Sequence, residues 1–293
     1  MQEMNKLKLG IPKGSLEKAT LRLFEKSGWK ISIADRNYFP QINDASIRCS
    51  ILRAQEMPVQ VESGTIDVGL TGLDWKEENE SDVVTVSDLI YSKVSQSPAR
   101  WVLAVAADSD IEELSDLTGK KIATELVNFT RKYFAQKGIE VKVEFSWGTT
   151  EAKVAAGLAD AIVEVTETGS TIEAHGLKII HELMQTNTIL IANKNSWGDS
   201  WKRGKIEQIA LLLKGALRAE NMVGLKMNLP KERLVEIIPL LPSITSPTIA
   251  SLYQSDWVSV EIMVHNERVR ELIPQLIEKG AEGIIEYPLN KVI

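Results

Sequence analysis

The sequence is poor in the residue types from which disulfides and zinc sites are built. Cys49 is the only cysteine among 293 residues, which excludes an internal disulfide and a cysteine metal cluster. The three histidines, His175, His181 and His265, are too scattered along the chain to suggest a zinc site. We therefore expect neither a disulfide framework nor a zinc centre.

Long apolar runs and an excess of positive charge are also absent. The first fifteen residues, MQEMNKLKLGIPKGS, contain no run long enough for a signal peptide, and no later stretch is apolar enough to span a bilayer. Lys and Arg number 34 against 40 Asp and Glu, a net charge of −6, whereas a broad nucleic-acid surface normally needs a basic excess. We expect a cytoplasmic protein that binds neither a membrane nor a nucleic acid.

Strand and helix patterns alternate from Lys6 to about Ala192. Apolar and polar residues alternate over Lys6–Ile11, which predicts a strand, and apolar residues on one helical face follow it up to Gly28. Such alternation of strands and helices predicts parallel α/β layers. A crossing strand over residues 95–107 separates two such series, so we expect two lobes with a cleft between them.

The same patterns divide the chain into segments. We expect residues 1–95 and 178–200 to form the first lobe, residues 96–177 to form the second, and a linker helix to cover residues 201–220. Residues 221–293 then show the order βαββαβ, which is the ferredoxin-like split arrangement. Because this last segment contains none of the candidate chemistry, its expected role is assembly or ligand sensing.

The stretch with the strongest chemical signal is GLADAIVEVTETGSTIEAHG, residues 157–176. Asp160–Val165 reads as a buried strand, Thr166–Ser170 as a turn of hydroxyls around Gly169, and Thr171–His175 as the start of a helix. Such a loop offers backbone N–H groups, hydroxyls and the positive end of a helix dipole to a phosphate. An ordinary strand-loop-helix connection with capping residues explains the same pattern.

Two acids lie beside this loop. Glu164 ends the predicted strand and Glu167 lies within the turn, where both carboxylates would repel a bare phosphate. Their presence is favourable if the ligand also carries sugar hydroxyls or a bound Mg²⁺, which prefers oxygen ligands. The stretch therefore predicts a sugar-phosphate site.

Several further candidates lie near predicted strand ends, where ligands gather in open α/β sheets. A lysine follows the first strand, an arginine follows the strand at 47–52, a glycine and an aspartate follow the strand at 66–70, and an arginine precedes the apolar run 101–107. Each of them, taken singly, is also explained as a structural or surface residue. They are Lys13, Arg53, Gly72, Asp74 and Arg100.

Taken together, these features resemble the ATP phosphoribosyltransferase family in its long, feedback-regulated form. The most specific part is EAKVAAGLADAIVEVTETGSTI at residues 151–172, and LGIPKGSL, RAQEMPVQVESGTIDVGLTG and LPSITSPTIASL add support over nearly the whole chain. Two positions depart from the family pattern. Glu164 stands where Asp is common, and Ser15 stands where many members have Arg.

The resemblance implies a fold, a reaction and a set of ligands. The fold would be a two-lobed catalytic part, similar to periplasmic binding proteins, with a C-terminal ferredoxin-like regulatory domain. The reaction would displace pyrophosphate from C1 of phosphoribosyl pyrophosphate by N1 of the adenine of ATP, with Mg²⁺ on the pyrophosphate. L-Histidine would inhibit the enzyme, and the assembly would be a homohexamer built from dimers.

The resemblance also implies residue roles. Thr168, Gly169, Ser170 and Thr171 would hold the 5′-phosphate, and Glu164 and Glu167 would hold ribose hydroxyls or water on Mg²⁺. Lys13, Arg53 and Arg100 would meet pyrophosphate or ATP phosphates, Gly72 and Asp74 would lie near the nucleotide, and Ser246 and Thr248 would contact histidine. No catalytic base is assigned, because adenine N1 already has a free lone pair.

Two other interpretations fit parts of the sequence. The two-lobed plan and DLTGKKIAT at residues 116–124 are also similar to solute-binding proteins of the periplasm, which bind without catalysis. A ligand-sensing transcription regulator would need a helix-turn-helix and a basic face, and neither is evident.

Overall fold

A computed structural model of the protein describes residues 6–33, 39–91, 98–242 and 246–293. The chain divides into two compact units, Met1–Glu25 with Trp29–Ala210 and Lys26–Gly28 with Leu211–Ile293. The strands are β1 (Leu7–Lys13), β2 (Ile31–Ser32), β3 (Gln41–Ile42), β4 (Ile47–Arg53), β5 (Val68–Gly72), β6 (Val84–Leu89), β7 (Ala99–Ala106), β8 (Lys121–Thr124), β9 (Lys142–Phe145), β10 (Ala161–Thr166), β11 (Leu177–Thr186), β12 (Thr188–Ala192), β13 (Met222–Pro230), β14 (Thr248–Ser251), β15 (Trp257–His265) and β16 (Glu282–Pro288). The helices are α1 (Glu17–Ser27), α2 (Met57–Glu62), α3 (Leu73–Glu78), α4 (Val127–Gln136), α5 (Thr150–Ala155), α6 (Ser170–Ala174), α7 (Lys194–Gly198), α8 (Ser200–Ala219), α9 (Leu234–Ile237) and α10 (Asn266–Glu278).

The first sheet of the first unit has the strand order β4-β1-β5-β12-β6. Strands β1, β4 and β5 are parallel, whereas β12 runs antiparallel to both of its neighbours. Met57 of α2 packs directly over two glycines of this sheet, because a Cβ at Gly10 or at Gly69 would collide with its sulfur atom. These glycines let the helix approach closely and bury Met57 completely.

The second sheet of the first unit has the order β11-β7-β10-β8-β9. Strand β7 is antiparallel to its neighbours β10 and β11, and β8 is parallel to β10 and β9. Trp101, Leu103 and Val105 of β7 lie on one face and pack into a core with Phe134 of α4. The expected two-lobed α/β part is confirmed, with one sheet in each lobe.

One element differs from the sequence prediction. Residues from 178 onward were expected in the first lobe, but β11 pairs with β7 along its whole length, ending at the pair Thr186 and Ala99. The apolar side chains of Leu183 and Met184 pack on the core of the second sheet, which holds the strand there. The chain joins the first sheet only at Thr188, and the predicted boundary at residues 95 and 96 lies outside the described residues.

The second unit contains a four-stranded antiparallel sheet of order β14-β15-β13-β16. Leu225, Val260 and Ile262 project from one face of this sheet and pack with Ile237 of α9 and Leu276 of α10. The element order β13, α9, β14, β15, α10, β16 is the βαββαβ order predicted from the sequence. In the described part of the chain, no helix is both long and apolar enough to cross a membrane.

Candidate active site

Two predicted cations lie side by side at the end of the first sheet. Lys13 ends β1, Arg53 ends β4, and the parallel register makes them direct partners. Both side chains are exposed. Gly14 follows Lys13 with φ of +100°, a conformation that glycine adopts without strain, and so turns the chain away from the strand end. The carboxyl end of this sheet therefore presents two adjacent positive charges.

These cations line a cavity of about 430 Å³ between the two sheets of the first unit. Its walls contain five of the residues predicted from the sequence, together with two tryptophans and one glutamate that the sequence did not single out. The predicted residues are Lys13, Arg53, Gly72, Asp74 and Glu167, and the others are Trp75, Trp101 and Glu125. Arg100, Glu164 and the loop 168–171 do not line the cavity themselves. Their sequence neighbours do, namely Ala99 and Trp101 beside Arg100, and Val165 and Glu167 beside Glu164 and the loop.

The hydroxyl-rich loop folds as a tight turn between β10 and α6. Gly169 has φ of +89° and donates its backbone N–H to Thr166 Oγ1 at 2.8 Å. The hydroxyls of Thr168 and Ser170 are 2.8 Å apart, and both residues are exposed, as is Thr171. The loop thus holds three exposed hydroxyls close together, with Gly169 itself buried beneath them.

Arg100 lies beside this loop, a proximity that the sequence pattern did not predict. The antiparallel pairing of β7 and β10 makes Arg100 the register partner of Thr166. Its Nη2 atom is 3.7 Å from the position that a Cβ on Gly169 would take, and its Nη1 atom is 3.4 Å from Glu182 Oε2. A guanidinium therefore adjoins the hydroxyl loop and retains a carboxylate partner on β11.

Asp74 is a buried carboxyl whose oxygens both accept hydrogen bonds from the protein. Trp101 Nε1 donates to Oδ2 at 2.8 Å, and the backbone N–H of Trp75 donates to Oδ1 at 2.9 Å. Burial raises the pKa of Asp74, an effect that these hydrogen bonds partly oppose. Gly72 has a structural role here, because a Cβ at that position would collide with Asp74 Oδ1.

Carboxyl groups converge on the second-sheet side of the site. Burial, reinforced by the charges of Glu151 and Glu125, raises the pKa of Glu164 from 4.5 to about 7. Burial and the charge of Asp74 raise the pKa of Glu125. Sequence reasoning missed Glu125, although it directly follows β8 and the rule that ligands gather at carboxyl ends of strands would have selected it.

The donor set bears on the predicted Mg²⁺. Within the ranges that the structure describes, no three His, Cys, Asp or Glu side chains are grouped so that they could hold a metal ion. Mg²⁺ usually retains several waters and is bound through one or two carboxylates together with substrate phosphates. The carboxylates of Glu164 and Glu167 fit this mode of binding, in which water and substrate supply the other ligands. They do not by themselves form a complete metal site.

The two predicted regulatory residues belong to the second unit. Ser246 is exposed just before β14, and Thr248 is exposed at its first position. Thr248 is the register partner of Glu261 on β15. Both residues therefore lie at the start of an edge strand.

Comparison with known proteins identifies the family. The family model described as "HisG: ATP phosphoribosyltransferase" matches residues 53–215, more than half of the chain. The chain belongs to the ATP phosphoribosyltransferase family. A second model, described as "HisG, C-terminal domain", matches residues 219–291, which identifies the long form of ATP phosphoribosyltransferase. Members of this family are pentosyltransferase enzymes of histidine biosynthesis, so the solute-binding interpretation is wrong.

Individual relatives agree with this assignment. The ATP phosphoribosyltransferase of Desulfatibacillum aliphaticivorans is 66% identical over 287 residues, 98% of each chain. That of Solidesulfovibrio magneticus is 68% identical over 289 residues, 99% of each chain. Among solved structures, the ATP phosphoribosyl transferase (HisG:HisZ) complex from Thermotoga maritima matches at 28% identity with a TM-score of 0.61, over 71% of this chain and 98% of that one.

Proposed function

We propose that the protein transfers the phosphoribosyl group of phosphoribosyl pyrophosphate to N1 of the adenine of ATP and releases pyrophosphate. The observation that carries this proposal is the pairing of two unlike anion sites in one unit. A loop of hydroxyls lies beside Arg100, and the adjacent cations Lys13 and Arg53 line the cleft. Phosphoribosyl pyrophosphate carries a phosphate at one end and a pyrophosphate at the other, so it needs two such sites.

The 5′-phosphate is assigned to the loop of Thr168, Gly169, Ser170 and Thr171. Exposed hydroxyls donate hydrogen bonds to phosphate oxygens, and backbone N–H groups at a turn add further donors. Arg100 adds a positive charge beside the loop. A side chain at Gly169 would crowd the loop, because a Cβ there would lie 3.2 Å from Ile179 Cδ1 and 3.7 Å from Arg100 Nη2.

The pyrophosphate and the ATP phosphates are assigned to Lys13 and Arg53. Bond breaking at C1 leaves positive charge on the ribose ring and negative charge on the departing pyrophosphate. Two adjacent cations stabilise that negative charge more in the transition state than in the ground state, which lowers the barrier. Adenine N1 attacks with its own lone pair, so the step needs no general base and orientation in the cleft supplies much of the rest.

The ribose and the metal are assigned to Glu164 and Glu167. An ionised carboxylate accepts hydrogen bonds from two sugar hydroxyls, or from water on Mg²⁺. Bound Mg²⁺ would offset the charge of the pyrophosphate. Asp74 lies near the expected position of the nucleotide, and because its oxygens accept from Trp101 and Trp75, we assign it to shaping that wall.

The second unit is assigned a regulatory role, with L-histidine as the inhibitor and Ser246 and Thr248 as contacts to its polar groups. The exposure of both residues at an edge strand supports this assignment. We also propose a homohexamer built from dimers, working in the cytoplasm. Inhibition requires that histidine bind one conformation of the enzyme more tightly than another.

The test of the reaction is an assay of pyrophosphate release by the purified protein. Phosphoribosyl pyrophosphate, ATP and Mg²⁺ together should give pyrophosphate in step with consumption of ATP, and omission of ATP should stop the release. Pyrophosphate release at the same rate without ATP would mean that water is the acceptor and that the assignment to ATP is wrong.

A further inference from the structure

Arg53 stacks on an aromatic side chain from the other lobe. Its guanidinium carbon lies 5.1 Å from the ring centroid of Trp147, which follows β9 of the second sheet, whereas Arg53 ends β4 of the first. Trp147 is 64% exposed. The contact therefore joins the two sheets of the first unit at the edge of the cleft.

The stack is the main interaction that the structure provides for this guanidinium. Among the described residues, Arg53 has no ion-pair partner, whereas Arg100 pairs with Glu182. Arg53 thus keeps its charge available, with its guanidinium carbon over an indole ring. A second cavity of about 510 Å³ also contains both residues in its wall, together with Gln55, Glu125 and Phe145.

Stacking has a specific consequence for anion binding. A guanidinium that lies flat on an aromatic face directs all of its N–H groups outward in its own plane. That edge matches two oxygens of a phosphate group, so the ring contact and a bidentate anion contact are compatible. Holding the long side chain in one orientation also reduces the conformational entropy that binding would otherwise cost.

We propose that Trp147 is a positioning residue that orients Arg53 for the pyrophosphate group. It acts on the anion only through Arg53, and it supplies a contact from the second lobe to a cation of the first. This inference rests on the proposed function, since it assumes that Arg53 meets pyrophosphate. It adds a residue that belongs to none of the phosphate, ribose or metal contacts assigned above.

The test measures binding of inorganic pyrophosphate by isothermal titration calorimetry. Trp147→Ala should weaken binding roughly two- to thirtyfold, the range expected for a cation–π contact at an exposed to partly desolvated site. Trp147→Phe retains an aromatic face and should stay within about threefold of the wild type. Phe145→Ala is the matched control, because Phe145 is 65% exposed and lines the same cavity without stacking on Arg53.

A double-mutant cycle distinguishes positioning from a general effect on the loop. In the Arg53→Ala background, Trp147→Ala should cause no further loss, because there is no guanidinium left to orient. If Trp147→Ala lowers pyrophosphate affinity equally in the wild-type and Arg53→Ala backgrounds, the inference is wrong. It is also wrong if Trp147→Ala alone binds pyrophosphate with wild-type affinity. Melting temperatures of all variants should match, since Trp147 is mostly exposed.

The outcome separates this inference from the proposed function. If the wild type binds pyrophosphate and releases it from phosphoribosyl pyrophosphate only with ATP, while Trp147→Ala binds it normally, only the role of Trp147 is wrong. If the wild type shows no ATP-dependent release but the cycle shows coupling, the positioning role holds and the reaction is wrong. If the wild type does not bind pyrophosphate, both the assignment of pyrophosphate to Arg53 and the role of Trp147 are wrong.

Discussion

Trp101 and Asp74 are joined by a hydrogen bond of 2.8 Å that connects the two lobes of the first unit. Trp101 belongs to β7 of the second sheet, and Asp74 lies in α3, which directly follows β5 of the first. The same helix contacts the second lobe twice more. Trp75 packs edge-on against Trp101, and Glu78 accepts hydrogen bonds from the backbone N–H groups of Asn128 and Phe129 in the first turn of α4. Helix α3 is thus attached to both lobes.

Trp101→Phe should destabilise the protein by more than ring size explains. The substitution removes the indole N–H that donates to a buried carboxyl, which costs about 1–3 kcal/mol, and the smaller ring leaves a void in addition. Urea unfolding measures the difference. Trp75→Phe is the control, since the indole N–H of Trp75 makes no hydrogen bond within the described ranges and its loss reports ring size alone. Equal destabilisation by both substitutions would contradict a special role for the Asp74 contact.

Gly169→Val should abolish binding of phosphoribosyl pyrophosphate. The new side chain meets Ile179 and Arg100, covers the backbone of the loop, and strains a residue with φ of +89° by about 1–2 kcal/mol. Gly176→Val is the matched control, because its φ is +72°, it lies at the other end of α6, and nothing lies within 4 Å of its Cβ position. Both variants should lose stability through backbone strain, Gly169→Val more because of its contact with Ile179, and only Gly169→Val should lose binding. Normal binding by Gly169→Val would exclude the loop as the phosphate site.

The pKa of Glu164 predicts how activity depends on pH. If the ionised carboxylate holds ribose hydroxyls or water on Mg²⁺, kcat/KM for phosphoribosyl pyrophosphate should rise with pH through about 7. Glu164→Gln should lower kcat/KM and remove this limb of the profile. A profile that keeps the same limb in Glu164→Gln would assign the titration to another group.

The same pKa makes a prediction for stability with the opposite slope. Because the folded pKa of about 7 lies above the ordinary value of 4.5, this group contributes stability that is present below pH 4.5 and lost as pH rises through 7. Glu164→Gln should therefore be more stable than the wild type at pH 8, and this advantage should vanish at pH 4. Thermal unfolding at the two pH values measures the difference, and an advantage of equal size at both would contradict the assigned cause.

Mg²⁺ alone should bind the protein weakly. Because the described residues contain no group of three metal ligands, we expect calorimetry to detect little heat with Mg²⁺ by itself and strong binding of phosphoribosyl pyrophosphate only when Mg²⁺ is present. Chelation should then stop turnover without lowering the melting temperature of the free protein. A large rise in melting temperature with Mg²⁺ alone would indicate a protein-built metal site.

Features that depend on a short stretch of sequence could be predicted. Contacts that depend on strand pairing or on the packing of the lobes could not. The hydroxyl loop, Lys13 and Arg53 became candidates because each directly follows a strand predicted from the sequence. The position of Arg100 beside Thr166 depends on the antiparallel register of β7 and β10, which no short stretch of sequence encodes. The Trp101–Asp74 contact joins residues 27 positions apart through the packing of two lobes. The sequence predicted Asp74 near the nucleotide but could not show that both of its carboxylate oxygens accept hydrogen bonds from the protein.

The last prediction concerns the second unit. A chain ending at Glu220 lacks the β14-β15-β13-β16 sheet with α9 and α10, and it keeps the candidate residues from Lys13 to Thr171. If the second unit carries the histidine site, the shortened enzyme should retain turnover and lose inhibition by L-histidine. The measurement is the rate of pyrophosphate release against histidine concentration.

Truncation also removes packing, so point variants are needed beside it. Val292 donates its backbone N–H to Gly215 of α8 at 2.9 Å and packs with Ala219 and Met222, contacts that the shortened chain would lose. Thr248→Val leaves all of them in place and removes one exposed hydroxyl. It should raise the histidine concentration for half-inhibition several-fold, about the worth of one hydrogen bond, at unchanged turnover, whereas Ser251→Ala at the other end of β14 should change neither. Full sensitivity to histidine in a soluble shortened enzyme would mean that the inhibitor binds outside the second unit.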